Sequence, residues 1–292
     1  MDEHPLPATR PGRLMAIGGA EDKTRERIVL RRFVELAGGR DGKLLILATA
    51  SELAETGERY SDLFRELEVG KVAVLRVADR EAALAAGPEV LDLLAGATAL
   101  FLTGGSQLRF SSALGGTPLA AAIRRRHAEG MVVGGTSAGA SLLSEHMIAL
   151  GDSGSTPRRR LVHLAQGLGL APDLMIDQHF RRRDRLGRLL TALSYNPTPL
   201  GVGIDEDTAV VIEPEGTMRV LGAGAVLVVD ARDMRFTNSY AVRRGQPLAM
   251  LGLKLDVLTT GCGYDLRRRE SLPPEKTDVL VLREAAAALA EP

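Results

Sequence analysis

The chain has 292 residues, 45% of them apolar, which is enough for a sizeable buried core. Its 37 basic and 37 acidic residues cancel, and 3% aromatic content with no Trp argues against a phosphate backbone or stacked bases as partner. The one cysteine, Cys262, excludes an intramolecular disulfide and a thiolate-based zinc site and suits a reducing compartment.

The start, "MDEHPLPATRPGRL", is polar and carries no apolar signal segment, so residues 1–11 are expected to be a tail. No later stretch reaches the ~18 apolar residues of a membrane span, and a cytoplasmic protein is expected. From residue 12, short apolar runs alternate with longer amphipathic ones. "RLMAIGG" precedes a helical pattern over 24–37, "KLLILAT" one over 52–67, "VAVLRV" one over 81–95, "ATALFLT" one over 117–129 and "GMVVGG" one over 137–146. Strand-length apolar runs, each followed by a helix, describe βαβ units in a doubly wound, mostly parallel α/β sheet buried on both faces. After about residue 200 come "GVGIDEDTAVVI", "MRVLGAGAVLVVD" and "LKLDVLTTG", strands punctuated by glycine, which predict an antiparallel extension. No linker or repeat separates the halves, so 12–292 reads as a single domain.

In such a sheet ligands bind beyond the carboxyl ends of the strands. Three segments end there: "LFLTGGSQLR", "GMVVGGTSAGA" and "LMIDQHF". The second contains Gly135-Thr136-Ser137-Ala138-Gly139, a G-x-S-x-G pattern whose small residues let a chain turn sharply from strand to helix and expose the serine oxygen. Ala138 could offer its N–H to an oxyanion at the start of that helix.

A serine nucleophile needs a base, and the histidines are His4, His127, His146, His163 and His179. None follows 179, which excludes the hydrolase order in which histidine comes last. His127 and His146 fall in polar helical patterns and are expected at the surface, and His4 is in the tail. His163 fits a loop or a core. His179, where a strand meets a helix, is the best base. The acid that orients it could be Asp205, Glu206 or Asp207, and spacing does not choose.

Taken together, "AIGGAEDK", "TGGSQLR", "GGTSAGA", "IDQHF" followed by Arg183, Arg185 and Arg188, and "GIDEDTA" resemble the cyanophycinases, serine peptidases of family S51. The resemblance spans nearly the whole chain. It implies a flavodoxin-like fold similar to class I glutamine amidotransferases, a homodimer, and hydrolysis of the polymer multi-L-arginyl-poly-L-aspartate to β-aspartyl-arginine dipeptides; neither clustered His nor Cys ligands appear in the sequence, so no metal is expected, and no cofactor either. It assigns Ser137 as nucleophile, His179 as base and Glu206 as orienting acid, with the oxyanion held by Gly105 and Ala138. Gln107, Asp177, Gln178, Arg183, Arg185 and Arg188 match substrate-binding positions. The arginines can meet carboxylates by two-point hydrogen bonds, and Asp177 could meet a guanidinium. On a helix Arg185 and Arg188 share a face and Arg183 need not. Arg181, Arg182 and the triplets 124–126, 158–160 and 267–269 read as solvated helix faces. Two alternatives share the fold: an aspartyl dipeptidase acting on short acidic peptides, and a non-catalytic module. A glutaminase would need its cysteine at Ser137, and Cys262 is far from it in sequence.

Overall fold

The computed structural model describes residues 10–51, 53 and 55–274, so most of the expected tail, His4, and the domain's end beyond 274 lie outside the described residues. In chain order the elements are β1 (Leu14–Ile17), α1 (Ile28–Ala37), β2 (Lys43–Leu47), α2 (Thr56–Glu66), β3 (Lys71–Leu75), α3 (Arg80–Leu84), α4 (Pro88–Gly96), β4 (Ala99–Leu102), α5 (Gln107–Leu114), α6 (Pro118–Ala128), β5 (Val132–Thr136) and α7 (Ala138–Ser141). There follow β6 (His146–Gly151), β7 (Val162–Gln166), β8 (Leu174–Asp177), α8 (Leu186–Tyr195), β9 (Leu200–Ile204), β10 (Thr208–Ile212), β11 (Thr217–Gly222) and β12 (Val226–Asp230). The last are β13 (Phe236–Thr237), β14 (Met250–Leu251), β15 (Lys254–Leu258), β16 (Gly263–Asp265) and β17 (Glu270–Leu272).

A nine-stranded sheet runs β17-β16-β11-β10-β1-β5-β4-β2-β3. The five strands from β1 to β3 are parallel, and β10, β11, β16 and β17 extend the sheet antiparallel beyond β1. The parallel strands are apolar on both faces because both are covered. Alternate residues go opposite ways: Met15, Ile17, Leu44, Ile46 and Phe101 pack with Phe33 of α1 and Phe64 of α2. Leu45, Leu47, Leu100, Leu102 and Val133 pack instead with Leu94, Phe110, Leu114 and Ile123 of the helices opposite.

Part of the expected extension forms a separate layer. The strands β9 and β12 do not join the large sheet; they lie in a four-stranded one, β15-β12-β9-β8, whose Ile176, Val202, Ile204 and Val228 complete the second core. Its far side is covered by α8 through Leu189, Ala192 and Leu193.

Three helical expectations are corrected. The 81–95 pattern is two helices, because Gly87 and Pro88 open a new one. An unpredicted helix, α5, follows β4, capped by the Ser106 hydroxyl accepting from Arg109 N at 3.2 Å. The helix expected over 137–146 ends at Ser141: the carbonyls of Leu142 and Leu143 accept from Leu168, Leu170 and Ala171, and the chain enters the β6–β7 hairpin. Among the described residues no helix is long and apolar enough to cross a membrane.

Candidate active site

Ser137 is the whole turn between β5 and α7, with φ 52° and ψ −115°. A non-glycine residue there stores roughly 1–3 kcal/mol of strain. The neighbours hold it: its N–H donates to Ile17 O at 3.0 Å. A Cβ on Gly135 would overlap the Gly139 carbonyl, and one on Gly139 would overlap that of Leu102. The glycines of the pattern are therefore required by close approach of backbones.

His179 sits two residues past β8, also at positive φ (48°), its N–H donating to Gly18 O at 2.8 Å. Its imidazole lies flush on Gly19, where any Cβ would overlap Cε1 and Nε2. Ser137 Oγ donates to Nε2 at 3.0 Å, and Nδ1–H donates to Glu206 Oε1 at 2.6 Å. Burial pushes the imidazole below its ordinary pKa; Glu206 opposes the shift, and the Arg183 charge adds to it. The ring therefore stays neutral, and able to accept a proton, to lower pH than a free histidine.

Of the three acids that spacing left open, only Glu206 faces the ring. The Asp205 carboxylate accepts from Arg181 N and Ala225 N, at 3.0 and 3.2 Å, and Asp207 accepts from Asp22 N at 2.8 Å. Both brace the loops around the site.

Beneath the serine lies a buried ionic layer. Asp177 has no solvent exposure, and the guanidinium it meets is the chain's own. Arg188 spans both its oxygens, Nε at 2.6 Å, and Arg185 Nη1 lies 3.4 Å away. That same Nη1 donates to Gln178 Oε1 at 2.8 Å, leaving this oxygen 3.5 Å from Ser137 Oγ. Burial drives the Arg185 pKa down to about 10, against the pull of Asp177, so the group remains charged at neutral pH. Arg183 is exposed, as are Arg181 and Arg182. Gln107, at the start of α5, is half-buried and donates to Ile148 O at 3.3 Å. Gly105, at φ 140°, is exposed. The N–H groups of Gly105 and Ala138 have no hydrogen-bond partner among the described residues.

The other histidines correct three expectations. His146 is exposed but on a strand, whereas His127 is buried, its ring N–H directed at Met131 O and its pKa lowered by burial. His163 is exposed on β7.

Sequence reasoning assigned no role to Glu21. Its side chain is fully buried and accepts from Thr136, the residue before Ser137, at 2.7 Å, and from Tyr60, with Lys23 Nζ at 3.0 Å. Burial raises its pKa, but Lys23 and the two hydroxyls outweigh that and the net shift is downward. The available signal was an acid just after "GG" at the carboxyl end of the first strand, where ligand-site loops gather.

Residues 14–220 match the sequence profile of peptidase family S51. The cyanophycinase of Thermosynechococcus vestitus is 47% identical over 261 residues, covering 89% of this chain and 80% of that one. The cyanophycinase of a Nostoc species is 42% identical over 262 residues, with 89% and 87% covered. Among solved structures, a peptidase from an acI-B1 Actinobacterium superposes with TM-score 0.64 at 24% identity, over 90% of this chain and 97% of that one. A putative peptidase E protein from Listeria monocytogenes gives 0.52 at 17% identity, over 73% and 100%. Those two likenesses show a shared fold, and the curated relatives match along most of the chain: it belongs to peptidase family S51.

Proposed function

We propose that this peptidase hydrolyses cyanophycin by a Ser137–His179–Glu206 triad. The observation that carries the reading is the hydrogen-bonded line from Ser137 Oγ, on a strained turn, through the imidazole to Glu206. The curated relatives named cyanophycinase support the substrate.

In this reading Oγ attacks a backbone carbonyl of the polyaspartate chain while His179 Nε2 takes its proton. Glu206 keeps Nδ1–H oriented and balances the imidazolium charge. The N–H groups of Gly105 and Ala138 hold the oxyanion. The C–N bond then breaks as His179 returns the proton to the leaving amine, and water hydrolyses the acyl-enzyme by the same route. Gln107, Gln178, Arg183 and Arg185 contact the substrate. Asp177 and Arg188 act from behind, fixing Arg185, which in turn fixes Gln178. No metal or cofactor enters the scheme. The enzyme works as a cytoplasmic homodimer, which cell fractionation and sedimentation velocity would test.

The decisive experiment incubates purified protein with cyanophycin and weighs the products. β-Aspartyl-arginine dipeptides are expected. Their absence, with short acidic peptides cleaved instead, would move the enzyme to the aspartyl dipeptidase class.

A further inference from the structure

The arginine triplet 158–160, which the sequence presents as a solvated helix face, is not on a helix. It lies in the loop between β6 and β7, laced to a second basic pair, Arg243 and Arg244. Arg159 N donates to Gln246 O at 3.0 Å and Gly245 N to Arg159 O at 2.9 Å, with a bridge between Arg158 and Pro247. Arg158 N donates to Thr191 Oγ1 at 3.1 Å and Arg160 N to Tyr195 Oη at 2.6 Å, docking the assembly along α8.

These contacts surround a cleft of about 430 Å³ walled by Arg159, Arg160, Arg244, His163, Tyr195 and Ser239, with no carboxylate in its lining. The Arg158 and Arg159 guanidiniums brace the wall by donating to the Gly245 and Val242 carbonyls. The side chains of Arg160, Arg243 and Arg244 have no hydrogen-bond or ion-pair partner among the described residues. Other surface arginines are neutralised by carboxylates, as in Arg27–Glu66, Arg40–Glu68 and Arg126–Glu129, and none is available within this cleft. A concave site with cationic walls and no internal counter-charge concentrates anions.

We propose that this cleft binds the free arginine α-carboxylates that stand along the polymer and serves as a secondary docking site for it, an inference that rests on the substrate reading above. Guanidinium forks suit carboxylates, and a polymer's own guanidiniums, on flexible stems, can turn to solvent. From Arg185 to Tyr195 the helix rises about 15 Å, which roughly five extended residues cover. A chain held at the cleft would therefore have one of its segments within reach of the arginines beside Ser137.

The test measures anisotropy of a fluorescent cyanophycin oligomer of five aspartyl-arginine repeats with full-length Ser137→Ala protein, so that the probe is not consumed. Arg160→Gln/Arg244→Gln should weaken binding about ten-fold or more and flatten its salt dependence, while Arg124→Gln/Arg125→Gln, on α6, should leave both in place. Arg160→Lys/Arg244→Lys should fall between, and thermal unfolding checks that each variant folds. Equal loss in both glutamine pairs, no loss in either, or equal binding of a thymidine decamer through the same arginines would overturn the proposal. Digestion of cyanophycin by the Ser137-containing protein is scored separately. No cleavage with intact oligomer binding would sink the substrate reading alone, whereas cleavage without binding at these arginines would sink the docking site alone.

Discussion

Ser137 shows how one residue carries a position that several backbones define. Its dihedral pair is imposed by Ile17, Gly135 and Gly139, not by its own side chain. Ser137→Ala should therefore fold with an unchanged unfolding midpoint while polymer turnover drops by roughly 10⁴-fold, as should that of His179→Ala; a turnover loss below ten-fold in Ser137→Ala would reject the nucleophile. The pH profile tests the base. Because burial lowers the His179 pKa, the acidic limb of kcat/KM should inflect below pH ~6.5. Glu206 raises that pKa and Arg183 lowers it. Glu206→Gln should move the limb to still lower pH, and Arg183→Gln should move it up; shifts in the same direction would contradict the geometry. The serine and histidine were legible in the sequence because a turn motif and a strand end mark them. The choice of Glu206 was not legible from spacing. Three consecutive acids point three ways in the tight connection between β9 and β10, and which way depends on Arg181, Ala225 and Asp22, partners far off in the chain.

At the scale of elements, β8 and α8 are joined by the Asp177–Arg185–Arg188 layer rather than by apolar contact alone. The spacing of Arg185 and Arg188 predicts a shared face, and both do reach Asp177. Their burial was not legible, since a run reading "RRRDR" looks like solvated surface and only the strand below supplies the counter-charge. Removing that charge leaves two buried cations under-compensated, which costs about 3–5 kcal/mol. Asp177→Asn should lose about that much in urea unfolding and weaken polymer turnover as Gln178 loosens. Arg185→Lys keeps the charge, but a shorter and more strongly hydrated ammonium must then take the place of the one nitrogen, Nη1, that meets both Gln178 and Asp177. Its effect should appear mainly in kcat/KM, about ten-fold or more, with the unfolding free energy changed less than in Asp177→Asn. The reverse ranking would mean that Arg185 is structural alone. The short α7 makes a related point: sequence pattern favours helix through 146, and hydrogen bonds from residues 168–171 end it.

Across the whole molecule, the parallel half was legible because strand-length apolar runs alternate with helices, and local pattern dictates βαβ units. The second sheet was not: β9 and β12 read as strands, but partner choice is a long-range property, and β9 pairs with β8 and β12 instead of with its chain neighbour β10. Glu21 ties these layers together. Its carboxylate joins the β1 loop, Tyr60 on α2 and Thr136 at the end of β5, while Gly19, two residues earlier, backs the imidazole. Its pKa is depressed in the folded state. A carboxylate with a folded pKa below the unfolded value of ~4.3 stabilises the fold above that pH, and the contribution disappears as pH falls through the folded value. Glu21→Gln should therefore cost about 3 kcal/mol at pH 7, the order expected for a buried charged acceptor that keeps its shape but loses its charge. The gap between wild type and variant should narrow as pH drops below ~4, since a protonated glutamic acid and the glutamine that replaces it are nearly isosteric. Urea unfolding of both proteins across pH 7 to pH 3 measures that gap; a constant difference would mean that the network stabilises by packing and hydrogen bonding, and that the ionised carboxylate at the base of the active site contributes nothing of its own.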